Sequence, residues 1–184
     1  HLEGIAELAG QPRVRAVGET GLDFFRTGDS GRDAQLRSFE AHIAIASSHG
    51  IALQIHDRDA HDEVVATLLR VGAPETTVFH CFSGDAALAR ICAEHGWYLS
   101  FAGTMTFKNA PALREALAVA DPSRVLVETD APFLTPEPWR GRPNAPYLMP
   151  HTVRRMAAVL DESVETLCLR LSENTVRAYG SWEA

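Results

Sequence analysis

The chain has 184 residues, 46% of them hydrophobic, enough to fill the core of one domain spanning residues 1–184. Lys and Arg number 17 against 24 Asp and Glu, and the net charge of −7 excludes a broad basic nucleic-acid surface, though not a nuclease that meets phosphate through bound metal cations. No apolar run approaches the ~20 residues of a membrane helix, no signal peptide is visible, and Cys81, Cys92 and Cys168, without CxxC spacing, read as buried or semi-buried reduced thiols of a cytoplasmic protein.

In chain order, Arg13–Gly18 (RVRAVG) reads as a short strand after the Gln11-Pro12 break. Asp33–Ser48 is helical in pattern, with Leu36, Phe39, Ile43 and Ala46 on one stripe and Gly50 as its stop. Ile51–Ile55 (IALQI) is a strand, and His61–Val71 a helix broken by Pro74. Thr76–Phe79 is a strand, followed by a helix that Asp85 caps and Gly96 ends. Trp97–Phe101, a helix over Ala110–Val119, and the strand Val125–Glu128 complete the alternation. Ala131–Pro150 carries six prolines and reads as a long irregular loop, a length that is functional or disordered in compact domains. Two helices close the chain, over His151–Leu160 and Val164–Tyr179. Strands alternating with helices imply a parallel sheet, and the absence of a Gly-rich phosphate-binding turn favours a closed barrel over an open doubly wound sheet.

A residue able to ligate metal stands at the carboxyl end of four of these strands: Glu19, His56, His80 and Asp130. Sites in parallel α/β folds are built at those ends. Each residue also has a structural reading, as a turn, core or cap residue; the repetition at strand ends is what points to a metal centre. Imidazole and carboxylate together suit zinc, manganese or another divalent cation. His42, His49, His61, His95 and His151 fall on helices or helix ends and read as solvated or packing residues, and His1 as a consequence of where the chain begins. Cys81, next to His80, leaves a thiol contact to metal open.

The segments GETGLDF (Gly18–Phe24), IHDRDA (Ile55–Ala60), HCFSG (His80–Gly84), YLSFAGTMTFKNA (Tyr98–Ala110), ETDAPFLTPEPWRG (Glu128–Gly141) and SENTVRAYG (Ser172–Gly180) resemble, in the same order, the TatD family of metal-dependent hydrolases, related to the amidohydrolase-type barrels. The resemblance implies a (β/α)8 TIM barrel, a two-cation site loaded with Mg, Mn or Zn, and deoxyribonuclease activity of the 3′–5′ exonuclease kind on single-stranded DNA ends. It implies that Glu19 bridges two metals, that His56 and His80 ligate the second, and that Asp130 ligates the first and acts as base toward the attacking water. Two cations about 3.5–4 Å apart hold a hydroxide and clamp a phosphodiester. The family's first metal also takes a His-x-His pair, and this sequence contains none.

Arg58, Ser83 and Arg140 are the candidates for substrate contact: Arg58 two residues beyond His56, Ser83 before a helix N-terminus, and Arg140 in the Pro-rich loop. Arg58 has an alternative as an ion pair with Asp57 or Asp59 and Ser83 as a simple cap; Arg140 matches a position of the family that the chain resembles, whereas Arg142 reads as solvated. Phe133, Trp139 and Tyr147 are candidates for base stacking or for local packing. Two other functions compete. One is hydrolysis of a small amide or ester by the same kind of centre. The other is an inactive chain that lacks the first metal's ligands. Five strands where a barrel has eight lead us to expect about the last five βα units here, with roughly 80 residues preceding His1, at the ~250-residue length typical of such barrels.

Overall fold

The computed structural model describes residues 2–181, so His1 lies outside the described residues. Its described residues fall into two compact units, one up to His80 together with the residues from Ala178, the other Cys81–Arg177.

The first unit opens with α1 (Leu2–Ala9), then β1 (Ala16–Asp23), α2 (Asp29–His49), β2 (Ala52–Arg58), α3 (His61–Val71) and β3 (Thr77–Phe79). β1 pairs with β2 and β2 with β3, all parallel. Parallel strands covered on both faces carry near-continuous apolar side chains, and Leu53, Ile55, Val78 and Phe79 are each buried to 1% exposure or less. α2 turns Phe39, Ile43 and Ala46 inward, and Gly50, at φ 61°, ends it in the left-handed conformation that glycine adopts freely.

The second unit runs α4 (Ala86–Glu94), β4 (Tyr98–Phe101), α5 (Pro111–Val119), β5 (Val125–Val127), α6 (Met149–Leu160) and α7 (Val164–Tyr179), the last helix ending just past the unit boundary. β4 and β5 are parallel, and all four residues of β4 are buried. Asp85 caps α4, its carboxylate accepting from the N–H of Ala87 and Leu88. Asn174 on α7 is 1% exposed and donates to the carbonyls of Pro122 and Val125, at 2.9 and 2.8 Å. That amide satisfies two carbonyls at the start of β5 and ties the helix to the strand.

The strand–helix alternation with parallel neighbours is that of about the last five units of a (β/α)8 barrel. Most element boundaries fall within two residues of those expected, but α2 begins four residues earlier, at Asp29, β2 runs three residues further, to Arg58, and β1 differs at both ends. β1 begins later and runs to Asp23 rather than ending at Gly18. Pairing with β2 draws the glycine-rich GETGLD into the ladder, with a bulge between Val17 and Thr20. The sequence pattern also passed over α1, whose Leu2, Ile5 and Leu8 follow helical spacing. The Pro-rich segment 131–150 is ordered by its own hydrogen bonds: Asn144 donates to the carbonyls of Thr129 and Phe133, each at 2.7 Å, and the Thr135 hydroxyl donates to the Arg142 carbonyl. All three cysteines are free, and no described helix is long and apolar enough to cross a membrane.

Candidate metal centre

β1 and β2 set the site by their register, Gly21 lying opposite His56. A Cβ on Gly21 would collide with the His56 carbonyl oxygen, so glycine is what permits this approach. The bulge two residues earlier shifts the phase of the strand at Glu19. His80 follows β3 directly, its N–H donating to the Ile55 carbonyl at 3.0 Å.

Three of the four candidate ligands are thereby brought together. Glu19 Oε2 lies 2.8 Å from His80 Nε2, and Glu19 Oε1 lies 3.7 Å from His56 Nδ1. The Glu19 side chain is 51% exposed, that of His80 only 14%, so the cluster has an open carboxylate on a largely buried base. Glu19 also lines a cleft of about 290 Å³ together with Ile5, Leu8, Val14, Val17 and His42.

The sequence reading missed a fourth member, Asp23. His56 Nε2 lies 3.2 Å from Asp23 Oδ2, so the carboxylate takes the Nε2–H and leaves Nδ1 turned to Glu19. Asp23 is held in turn by Gln35 on α2, whose amide bonds both its backbone N–H and its carbonyl, at 3.0 and 3.3 Å. Burial raises the Asp23 pKa, but the Arg26 N–H, the His56 hydrogen bond and the charges of His56 and Arg58 outweigh it and hold the carboxyl below its ordinary value. The only hint in the sequence was its position within GETGLDF, where an Asp before Phe24 reads as a turn residue.

This donor set suits a divalent cation. One carboxylate and two imidazoles converge, and one imidazole gives its second nitrogen to a carboxylate, the arrangement that fixes tautomer and ring orientation in metal sites. Among the described residues no group of three such side chains already stands in ligand geometry; Glu19 reaches the imidazoles directly.

The remaining candidates are placed as follows. Asp130 follows β5 at φ 54°, a left-handed conformation that Asp tolerates better than most residues, and its carbonyl accepts from Phe133 N–H at 2.8 Å. Ser83 is exposed, and the N–H groups of Ala87 and Leu88 in the first turn of α4 donate to Asp85. The Arg58 guanidinium lies 4.0 Å over the ring of Phe25, and that of Arg140 lies 4.2 Å over Phe107. Cys81 donates its N–H to Glu128 Oε1 at 2.6 Å. Phe133 and Tyr147 are 68% and 78% exposed, whereas Trp139 donates its indole N–H to His151 at 3.1 Å.

Comparison with known proteins yields a consistent set of relatives. The family described as TatD related DNase matches residues 1–180. A Mycobacterium tuberculosis protein, named an uncharacterized metal-dependent hydrolase TatD, is 44% identical over 180 residues, covering 96% of this chain and 68% of its own length. The Escherichia coli protein named 3′-5′ ssDNA/RNA exonuclease TatD is 35% identical, with 97% and 70% covered. The crystal structure of YjjV, a TatD homolog from Escherichia coli, superposes with a TM-score of 0.90 at 27% identity, covering 98% of this chain and 70% of that one.

Proposed function

Because the chain belongs to the family of TatD-related DNases, matched over residues 1–180, we propose that it is a metal-dependent hydrolase of phosphodiester bonds in DNA, acting on single-stranded 3′ ends. The observation that carries this reading is the convergence of Glu19 on His56 and His80, at 3.7 and 2.8 Å, with Glu19 and His56 standing within the paired parallel strands β1 and β2 and His80 directly after β3. The name of the 35% identical Escherichia coli relative supports the substrate and the polarity.

In this reading Glu19, His56 and His80 hold a divalent cation, magnesium, manganese or zinc. A cation bound there would supply Lewis acidity toward a phosphodiester and its attacking water. The chain's own residues do the rest. Asp23 retains the proton on His56 Nε2 and so presents Nδ1 as the donor nitrogen. Arg58, seated on the Phe25 ring, offers a planar guanidinium edge to phosphate oxygens, and Arg140 is assigned a phosphate contact on its sequence motif alone. Asp130, on the ETDAP motif alone, is assigned the proton of the attacking water. The protein acts in the cytoplasm, where its free cysteines stay reduced.

A second reading is supported by the inventory of donors. The sequence has no His-x-His, and no described group of three side chains already stands in ligand geometry. A chain of this kind binds one cation and either leaves DNA intact or acts on a small amide or ester. Single-stranded oligonucleotides incubated with Mg²⁺ or Mn²⁺, beside a panel of amides and lactones, separate the readings. We expect cation-dependent release of nucleotides from 3′ ends, abolished in His80→Ala. Turnover confined to the small-molecule panel would overturn the nuclease reading.

A further inference from the structure

Among the aromatic side chains next to the Glu19–His56–His80 cluster, Phe25 is the one that the fold leaves open. It is 63% exposed, two residues beyond the Asp23 that hydrogen-bonds His56. Its neighbour Phe24 is half-buried beneath Arg32, whose guanidinium lies 4.1 Å over that ring. Phe25 instead meets the Arg58 guanidinium at 4.0 Å.

The segment that carries Phe25 is fixed at three points. Phe24 N–H donates to the Arg58 carbonyl at 2.9 Å, Arg26 N–H donates to Asp23 Oδ1 at 2.8 Å, and Gln35 Nε2 donates to the Thr27 hydroxyl at 2.6 Å. An exposed phenyl ring held this firmly gains little from burial, whereas its π-face is pre-organised to stack. The guanidinium covers one face of the ring, leaving the other for a base and setting a positive charge behind it. A planar ring linked to an anionic group is the chemistry that both features serve at once.

We propose that Phe25, backed by Arg58, is a stacking platform for a nucleobase of a single-stranded nucleic acid, beside the metal-ligating cluster. This rests on the phosphodiesterase reading and names the part of its substrate that the ring recognises. It also explains how an acidic chain gains grip on a strand without a basic groove, because stacking is tolerant of sequence and supplies affinity base by base.

The test uses the full chain and two nuclease-resistant, fluorescently labelled phosphorothioate oligothymidylates, one intact and one with an abasic 3′-terminal nucleotide. Wild type is expected to bind the intact probe more tightly, and Phe25→Ala to lose that advantage, by roughly 5- to 150-fold, the range base–aromatic stacking gives on truncation. Phe25→Trp restores it, which a general loss of structure would not. An intact-to-abasic ratio near one in wild type, or one unchanged by Phe25→Ala, would overturn the platform. Cleavage of unmodified oligonucleotide is measured in parallel. Cleavage with no base preference defeats the platform alone, and base preference with no cleavage defeats the nuclease reading alone.

Discussion

Asp23 shows how a single side chain, silent in the sequence, fixes the chemistry of its neighbours. Glu19, His56 and His80 were legible as candidates because residues able to ligate metal recur at the ends of the strands expected from sequence, a spacing signal, although β1 and β2 run on past Glu19 and His56. Asp23 was not, because its role depends on which way a carboxylate points across the β1–β2 pair, and Gln35 escapes notice for the same reason. Carboxylates that orient a ligating imidazole are worth roughly 10- to 100-fold in metal affinity. Asp23→Ala is therefore expected to weaken Mn²⁺ or Zn²⁺ binding by about that factor while leaving the fold intact, read by competition against a chromophoric chelator. Unchanged affinity would mean that His56 needs no orienting partner. The same carboxyl predicts an acid limb of stability. Burial opposes its ionisation, but the Arg26 N–H and His56 win, so its native pKa lies below the ordinary 3.8. A lowered native pKa adds stability that is fully present above the unfolded value and is lost as pH falls through the native one. The stability difference between wild type and Asp23→Asn should accordingly shrink as pH drops below about 4, measured by urea denaturation at successive pH values. A constant difference across that window would show that the ion pair adds nothing to folding.

At the scale of elements, the alternation of strands and helices was readable from periodicity, but the course of β1 was not. GETGLD carries two glycines and two acids, a turn signature, yet parallel pairing keeps it in the ladder as far as Asp23. Local composition reports what a segment tolerates, and its partner strand decides. Gly21 is where that partner leaves its mark, since a Cβ there meets the His56 carbonyl oxygen. Gly21→Ala is expected to cost about 1–3 kcal/mol, the usual penalty of overpacking, and to push β2 away from β1, so metal affinity falls together with the urea midpoint. A variant of wild-type stability would show that the two strands separate freely. The far end of the chain offers a purely structural contrast. Asn174→Ala removes the amide donor from the carbonyls of Pro122 and Val125, which we expect to cost about 1–3 kcal/mol without touching metal affinity. The Pro-rich segment 131–150 departs from the sequence reading in a third way. Its prolines signal irregular backbone, and its order comes from Asn144 and Thr135, polar residues that give no signal until their acceptors are in place.

For the molecule as a whole, the net charge of −7 sets the conditions under which a polyanion can approach. Such a chain repels a nucleic-acid strand at long range, its 17 Lys and Arg being outnumbered by 24 Asp and Glu. On the proposed function a bound cation offsets this repulsion, and the donors present set how many cations can bind. Glu19, His56 and His80 converge, whereas the His-x-His that would serve a first metal is missing from the sequence. We expect one equivalent of Mn²⁺ or Zn²⁺ to bind tightly in equilibrium dialysis; two tight equivalents would reveal ligands outside this set. Occupancy of that site should then govern association with DNA. At fixed ionic strength, fluorescence anisotropy of a nuclease-resistant single strand is expected to show tighter binding with Mn²⁺ than with chelator, and His80→Ala should remove most of the difference. Salt would weaken what remains only modestly, because few Lys and Arg displace counterions from the phosphates. Equal affinity with and without cation, or a steep salt dependence in its absence, would mean that the strand is held by surface charge after all, and that the acidic composition had been a poor guide to how this chain meets its substrate.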